Sequence, residues 1–323
     1  TMVGGRDYFD EENKGNVNIT TSRLQPGSSF KPFVYSIAID KEIIGSKTPI
    51  YDLKTTFPWG YEPNNFDGKF KGKMDVSTAL NNSRNIPAVK MYFLAGWENP
   101  IGEWMSKLGV KSIDNFKAEY LANQWKEYYF GASMGLGTAM MTPLEIASAY
   151  SVYANLWYKK EISPIVKILD SRWLVIEEYI EEERQWELVI DPATAYILNN
   201  ILSDTTTRPE TWNKYLAMGN RPVASKTGTS TKQFEKNGEK IIYPRNLWTV
   251  GYTPQITTIV WSGNNDGEPT NFQWNGLEAS GPIWRDFMNF YHSDEPVEEW
   301  VQPEWVKNVN ISMMSWKLAP SSL

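Results

Sequence analysis

An α+β domain built on an antiparallel sheet is the fold class predicted for this 323-residue chain, on three observations. Residues 248–253 and 256–262 are neighbouring runs rich in Thr, Val, Ile and aromatics, with a two-residue turn at Pro254-Gln255 between them. Residues 165–169 and 173–177 make a second local pair. Around both pairs stand clusters of helix-like segments with start signals, and local strand pairing mixed with helix clusters is the α+β pattern.

In chain order, helices are expected at roughly 29–41, 75–81, 87–95, 100–108, 142–155, 191–203 and 281–291. Pro87 and Pro143 stand at first helical positions, where a missing N–H is harmless, and Asp191 is an N-cap followed by Pro192. The run 222–225 leads into Lys226-Thr227-Gly228-Thr229 as a strand whose alternation sends Lys226 and Gly228 to one face. Residues 294–305 turn acidic and proline-containing, so the expected division is a domain over 1–292 and a linker and tail over 293–323.

Composition narrows the function. Hydrophobic residues are 41% and charged residues 22%, a globular balance. Thirty-two basic against 38 acidic side chains give a net charge of −6, and without a basic stripe no nucleic-acid partner is expected. The chain has no cysteine and one histidine, His292. Disulfide scaffolds, thiolate metal sites and cysteine nucleophiles are thereby excluded. No stretch reaches the ~18–20 apolar residues of a membrane span, and no signal peptide is visible. The first residue is Thr1, and the chain is expected to be a fragment with any targeting segment upstream.

Two serine-centred signals compete. Gly131-Ala132-Ser133-Met134-Gly135 matches the G-x-S-x-G nucleophile elbow, which needs a strand before it, a helix after it, and an acid and histidine downstream. Only a short apolar run precedes it, and His292 is the sole candidate base, so a glycine-rich packing loop is the preferred reading. The second signal needs no histidine. Ser28-Ser29-Phe30-Lys31 is the one S-x-x-K in the chain, Ser83-Arg84-Asn85 is S-x-N, and Lys226-Thr227-Gly228 is K-T-G. Each alone is weak; Ser262-Gly263-Asn264 is a second S-x-N.

The chemistry suits each position. Side chains three apart share a helix face, so Lys31 can approach Ser28 and take its proton. A lysine with the reference pKa of ~10.4 is a poor base until burial or another cation lowers it, and Lys226 is the natural second cation. Pro26-Gly27 before Ser28 and Pro32 after it place Ser28 at a helix N-terminus, where developing negative charge is favoured. Alone, Ser28 reads more readily as an N-cap serine than as a nucleophile. Ser83 and Asn85 lie in a polar loop closed by Pro87, where a hydroxyl can relay a proton and an amide can both accept and donate. Gly228 lets another backbone approach, as an edge strand binding an extended peptide requires.

The trio in this order is that of penicillin-binding proteins and class A β-lactamases, and longer runs carry the likeness further. Residues 25–33 (QPGSSFKPF), 79–89 (ALNNSRNIPAV), 142–147 (TPLEIA) with Ala149-Tyr150, 221–229 (RPVASKTGT), 248–254 (WTVGYTP) and 281–284 (GPIW) resemble the transpeptidase domain of class A (bifunctional) penicillin-binding proteins. Residues 2–9 are similar to the segment after that domain's first strand. Leu24 stands where the family often has arginine, the polar segment 230–247 is longer than the usual turn, and the likeness fades beyond about residue 292.

The resemblance implies an antiparallel sheet flanked by helices with a helical subdomain. It implies a D,D-transpeptidase cross-linking peptidoglycan stem peptides, and β-lactam antibiotics as ligands. No metal or cofactor is required. Ser28 would be the nucleophile, Lys31 the base, Ser83 the proton relay and Asn85 the group holding Lys31 and the donor amide. Lys226 would set the electrostatics, Thr227 and Thr229 would bind the terminal carboxylate, and the N–H groups of Ser28 and Thr229 would form the oxyanion hole. A glycosyltransferase domain and a membrane anchor would lie upstream, placing the site on the outer face of the cytoplasmic membrane. The alternatives are a D,D-carboxypeptidase or β-lactamase on the same scaffold, and a non-catalytic β-lactam sensor. No Glu-x-x-Leu-Asn deacylation motif is found. The 15 tryptophans are expected mostly in the core.

Overall fold

The structure is a computed structural model, and it describes residues 1–160, 162–180, 186–236, 239–270 and 274–312. Its centre is α1 (Lys31–Asp40), which follows a 3-10 turn at Gly27–Phe30. Phe33, Val34 and Ala38 are wholly buried, and the helix has no solvent face. A helix apolar all round must be wrapped on all sides, and α1 is: α3, α4 and α7 pack against it.

The chain next makes β1 (Pro49–Asp52) and β2 (Gly72–Asp75), a two-stranded antiparallel ribbon absent from the sequence expectation. Helices α2 (Val76–Asn81), α3 (Asn85–Leu94), α4 (Glu98–Lys107), α5 (Ser112–Gln124) and α6 (Pro143–Ala154) follow. Helix α3 begins at Asn85, so Pro87 is its third residue, not its first as expected. At α6 the Pro143 signal holds, and Thr142 and Glu145 complete a capping box. Glu145 also accepts from Lys111 N, Ser112 N and Ser112 Oγ, tying α6 to the start of α5.

Short strands β3 (Tyr158–Lys159), β4 (Lys167–Leu169), β5 (Val175–Glu178) and β6 (Glu187–Leu188) form two small ribbons, β3 with β6 and β4 with β5. The expected pair at 165–169 and 173–177 is the second of these. Helix α7 (Pro192–Ser203) starts at the Asp191 cap, whose carboxylate accepts from Ala193 N at 2.7 Å, and α8 (Glu210–Leu216) follows.

The main sheet is β7 (Ala224–Lys236), β8 (Glu239–Tyr252) and β9 (Thr257–Ser262), antiparallel throughout. Along β9, Ile259 and Trp261 join the large core with α6, whereas Val260 faces a small cluster with Trp284 and Met288. That alternation puts helices on both faces: α6 and α7 on one, α9 (Gly276–Ala279) and α10 (Gly281–Tyr291) on the other. The mixed helix and antiparallel-sheet fold expected from the sequence is the fold observed.

The polar segment at 230–247 is mostly sheet. It prolongs β7 and β8 into a hairpin with a register shift between Ser230 and Thr231, and its tip at 237–238 lies outside the described residues. Part of the expected linker is packed against the body: Arg221 donates to Pro296 O at 2.7 Å, and the buried Trp300 donates to Ala154 O at 3.3 Å. Residues 313–323 of the expected tail lie outside the described residues. Among the described residues, no helix is long and apolar enough to cross a membrane. Among the described residues, Trp104, Trp248, Trp284 and Trp300 are buried, Trp157 and Trp261 pack against the core, and several others, such as Trp59, Trp125 and Trp173, are exposed.

Candidate active site

Every residue singled out from the three short motifs lies at one cleft between the sheet edge and the helical half. A cavity of about 500 Å³ is lined there by Ser28, Ser83, Asn85, Thr227 and Thr229, with Leu136, Thr138, Trp212 and Leu277 among its walls. Close backbone contact seals its floor. A Cβ on Gly228 would lie 2.3 Å from Pro26 O, and one on Gly27 (φ +55°) would lie 2.4 Å from Thr229 O. Only glycine at both positions lets the turn bearing Ser28 press onto β7. The backbone that Gly228 admits is thus the chain's own nucleophile-bearing turn.

Ser28 sits inside the 3-10 turn and makes no side-chain cap bond, so the N-cap alternative falls. Lys31, fully buried, points its Nζ at Ser83 O (2.6 Å), Asn85 Oδ1 (2.7 Å) and Ser83 Oγ (3.4 Å). The sequence expectation paired Lys31 directly with Ser28. In the structure its hydrogen bonds go instead to the Ser83–Asn85 turn, which supplies a carbonyl, an amide oxygen and a hydroxyl for a buried ammonium. Lys226 Nζ reaches the same hydroxyl from the sheet, at 2.9 Å from Ser83 Oγ. Ser83 Oγ therefore stands between two buried amines.

That position comes from strain. Ser83 has φ +55° and directly follows Asn82, the C-cap of α2. Its N–H donates to Leu80 O and the next N–H, of Arg84, donates to Ala79 O, the paired closure in which glycine is usual. A serine there costs about 1–3 kcal/mol.

Electrostatics follow from burial. Desolvation, then the Lys226 and Arg84 cations, push Lys31 well below the usual lysine value. Burial and Arg208 push Lys226 down to about 7. Both lysines are thus biased towards the neutral form by burial and by neighbouring cations. On the sheet side Thr229 Oγ1 accepts from Gly276 N at 3.2 Å, which leaves its own proton free for an acceptor in the cleft.

The rival serine is structural. Ser133 lies in a 3-10 turn (Gly131–Leu136) without the strand–turn–helix of an elbow, and its hydroxyl bonds Phe130 O and Thr138 Oγ1. His292 caps α10 and pairs with Thr253 Oγ1 at 3.2 Å, away from the cavity lining. The glycine-rich loop braces the other serine: Gly27 N donates to Gly137 O at 3.1 Å. Sequence reasoning missed a second layer of residues. Asp52, Asn65, Asp67 and Arg84 are hydrogen-bonded to one another, Asp67 and Arg84 in the cavity wall and Asp52 and Asn65 behind it, and the Asn275–Leu277 turn closes its far end. One signal was available for Asp52. It shares the buried face of β1 with Ile50, and a charge at an inward position demands a partner.

Comparison with known proteins gives the family and the fold. A family model for the penicillin binding protein transpeptidase domain matches residues 1–289. The chain belongs to that family. Penicillin-binding protein 1A of Neisseria lactamica is 30% identical over 316 residues, covering 94% of this chain and 36% of the relative. The chain therefore spans about a third of the length of the curated relatives it matches. Penicillin-binding protein 1A of Haemophilus influenzae superposes with a TM-score of 0.76 at 22% identity, over 98% of this chain and 49% of that one. PonA1 of Mycobacterium tuberculosis in complex with penicillin V superposes with a TM-score of 0.73 at 23% identity, over 91% and 76%. Both share the fold, and the expected likeness to class A penicillin-binding transpeptidase domains holds.

Proposed function

We propose that this penicillin-binding protein domain is a serine D,D-transpeptidase working through a Ser28 acyl-enzyme. The observation that carries the reading is the Lys31–Ser83–Lys226 chain beside Ser28 in one cavity. Neutral Lys31 takes the Ser28 proton as Oγ attacks the penultimate D-alanine carbonyl of a stem peptide. The Ser28 O–C bond forms, the peptide C–N bond breaks, and Ser83 passes a proton to the departing D-alanine amine. An amine from a neighbouring stem then takes the acyl group and regenerates Ser28. Thr227, Thr229 and Lys226 hold the donor's terminal carboxylate, Gly228 seats the turn, and Asn85 holds Lys31 and the donor amide. The N–H groups of Ser28 and Thr229 face the developing oxyanion.

One further observation favours transfer to an amine over hydrolysis. Among the described residues lining the cavity, Asp67 is the only carboxylate, and its oxygens already accept from Arg84 and from Lys69 N. No free carboxylate is offered to activate water. β-Lactams would acylate Ser28 as donor mimics. The setting would be the bacterial envelope, with peptidoglycan as partner and glycosyltransferase and anchor segments elsewhere in the whole protein. The test is turnover of a D-alanyl thioester with added D-amino acids. Aminolysis product in preference to acid is expected; rapid hydrolysis of thioester and penicillin alike would mean a carboxypeptidase or β-lactamase, and labelling without turnover would mean a sensor.

A further inference from the structure

Between Ser83 and Asn85 stands Arg84, a buried guanidinium whose three nitrogens all have partners. Nε donates to Asp52 Oδ2 at 2.8 Å, Nη1 donates to Asp67 Oδ2 at 2.9 Å, and Nη2 donates to Lys69 O. Asp52 is wholly buried and also accepts from Asn65 Nδ2 (2.8 Å) and Lys71 N (3.0 Å). The same loop then holds Asn85. Asn65 Oδ1 accepts from Asn85 N at 2.8 Å, and Asn64 O accepts from Asn85 Nδ2 at 2.6 Å. With its NH2 group so engaged, the Asn85 amide has one orientation, and that orientation presents Oδ1 to Lys31.

We propose that Arg84 is a positioning residue: with Asp52 it pins residues 64–71 under the Ser83–Asn85 turn, and the pin sets Ser83 Oγ between the two lysines and Asn85 Oδ1 on Lys31. A planar guanidinium reaches two carboxylates and a carbonyl at once, which a single ammonium cannot do. The strained Ser83 conformation needs such over-determination to persist. The inference rests on the function proposed above.

The test is the acylation rate by a fluorescent penicillin, measured across pH with thermal melts alongside. The charged groups facing Lys31 are Lys226 from β7, Arg84 from the turn and Asp52 from β1. Arg84→Gln should slow acylation about 10²-fold, the scale of a small misplacement of reacting groups, and move the inflection to higher pH, since a cation beside Lys31 is gone. Asp52→Asn should also slow it but move the inflection to lower pH. Arg84→Lys should restore the inflection and only part of the rate. Because a lone buried charge destabilises, the double variant Arg84→Met/Asp52→Leu is the decisive one: it should melt near the wild-type temperature and remain slow. Wild-type rate in Arg84→Gln, or rate recovered together with stability in the double variant, would overturn the inference. A wild-type protein that takes up no penicillin on Ser28 would overturn the proposed function as well.

Discussion

Ser83 carries the tension between stability and chemistry at the scale of single residues. Its positive φ would suit glycine better, so Ser83→Gly should raise stability by about 1 kcal/mol while slowing acylation by about 10²–10⁴-fold, the range for losing a proton-transfer group. Paired denaturation and penicillin-uptake measurements check both halves. The lysines make a second prediction. Acylation needs Lys31 neutral, so its rate should rise with pH through an inflection well below that of a free lysine, and Lys226→Gln should move that inflection upward. A flat profile from mildly acidic to alkaline pH would contradict this. Ser28, Lys31, Ser83 and Lys226 could be singled out because each sits in a short motif of a few consecutive residues. The left-handed Ser83 and the Lys31–Asn85 bond were not, because both depend on how α2 ends and on a loop that meets them only in the fold.

Between elements, the cleft depends on a turn and a strand touching through two glycines. Gly228→Ala places a methyl group against Pro26 O, with no flexible side chain to yield. Overpacking of this kind should cost about 1–3 kcal/mol and lower acylation at least tenfold, checked by melting and labelling of the same sample. Strand β9 and the last part of β8 were readable from their alternation, and α6 and α7 from their caps, whereas the first half of β8 lay in the segment read as a long polar turn. The β1–β2 ribbon was not. Its strands are four residues each and are separated by a loop of turn-forming residues, so no period accumulates. Helix α5, amphipathic only weakly and largely exposed, gave no stripe to read.

Across the whole molecule, buried bases set the dependence of stability on pH. His292 is held near 4 by burial and by Arg221, and Lys226 near 7 by burial and Arg208. In each case the unfolded chain binds the proton more tightly, so stability is fully present above the unfolded value and is lost as pH falls through the folded one. Thermal stability should therefore climb from pH 4 to about 6.5 for His292 and again from about 7 towards 10.5 for Lys226. Above pH 10 the buried Tyr150 and Tyr252, which burial keeps protonated, should reverse the trend. Melting curves of His292→Gln and Lys226→Met, each flattening its own part of the rise, check the assignment.

The central claim, that Ser28 is the nucleophile of this cleft, is tested most directly by incubating the protein with a penicillin and locating the adduct by peptide mass mapping. The account predicts one stable adduct on the peptide carrying Ser28, abolished by Ser28→Ala and retained in Ser133→Ala and His292→Ala. An adduct that survives Ser28→Ala and vanishes with Ser133→Ala would contradict it.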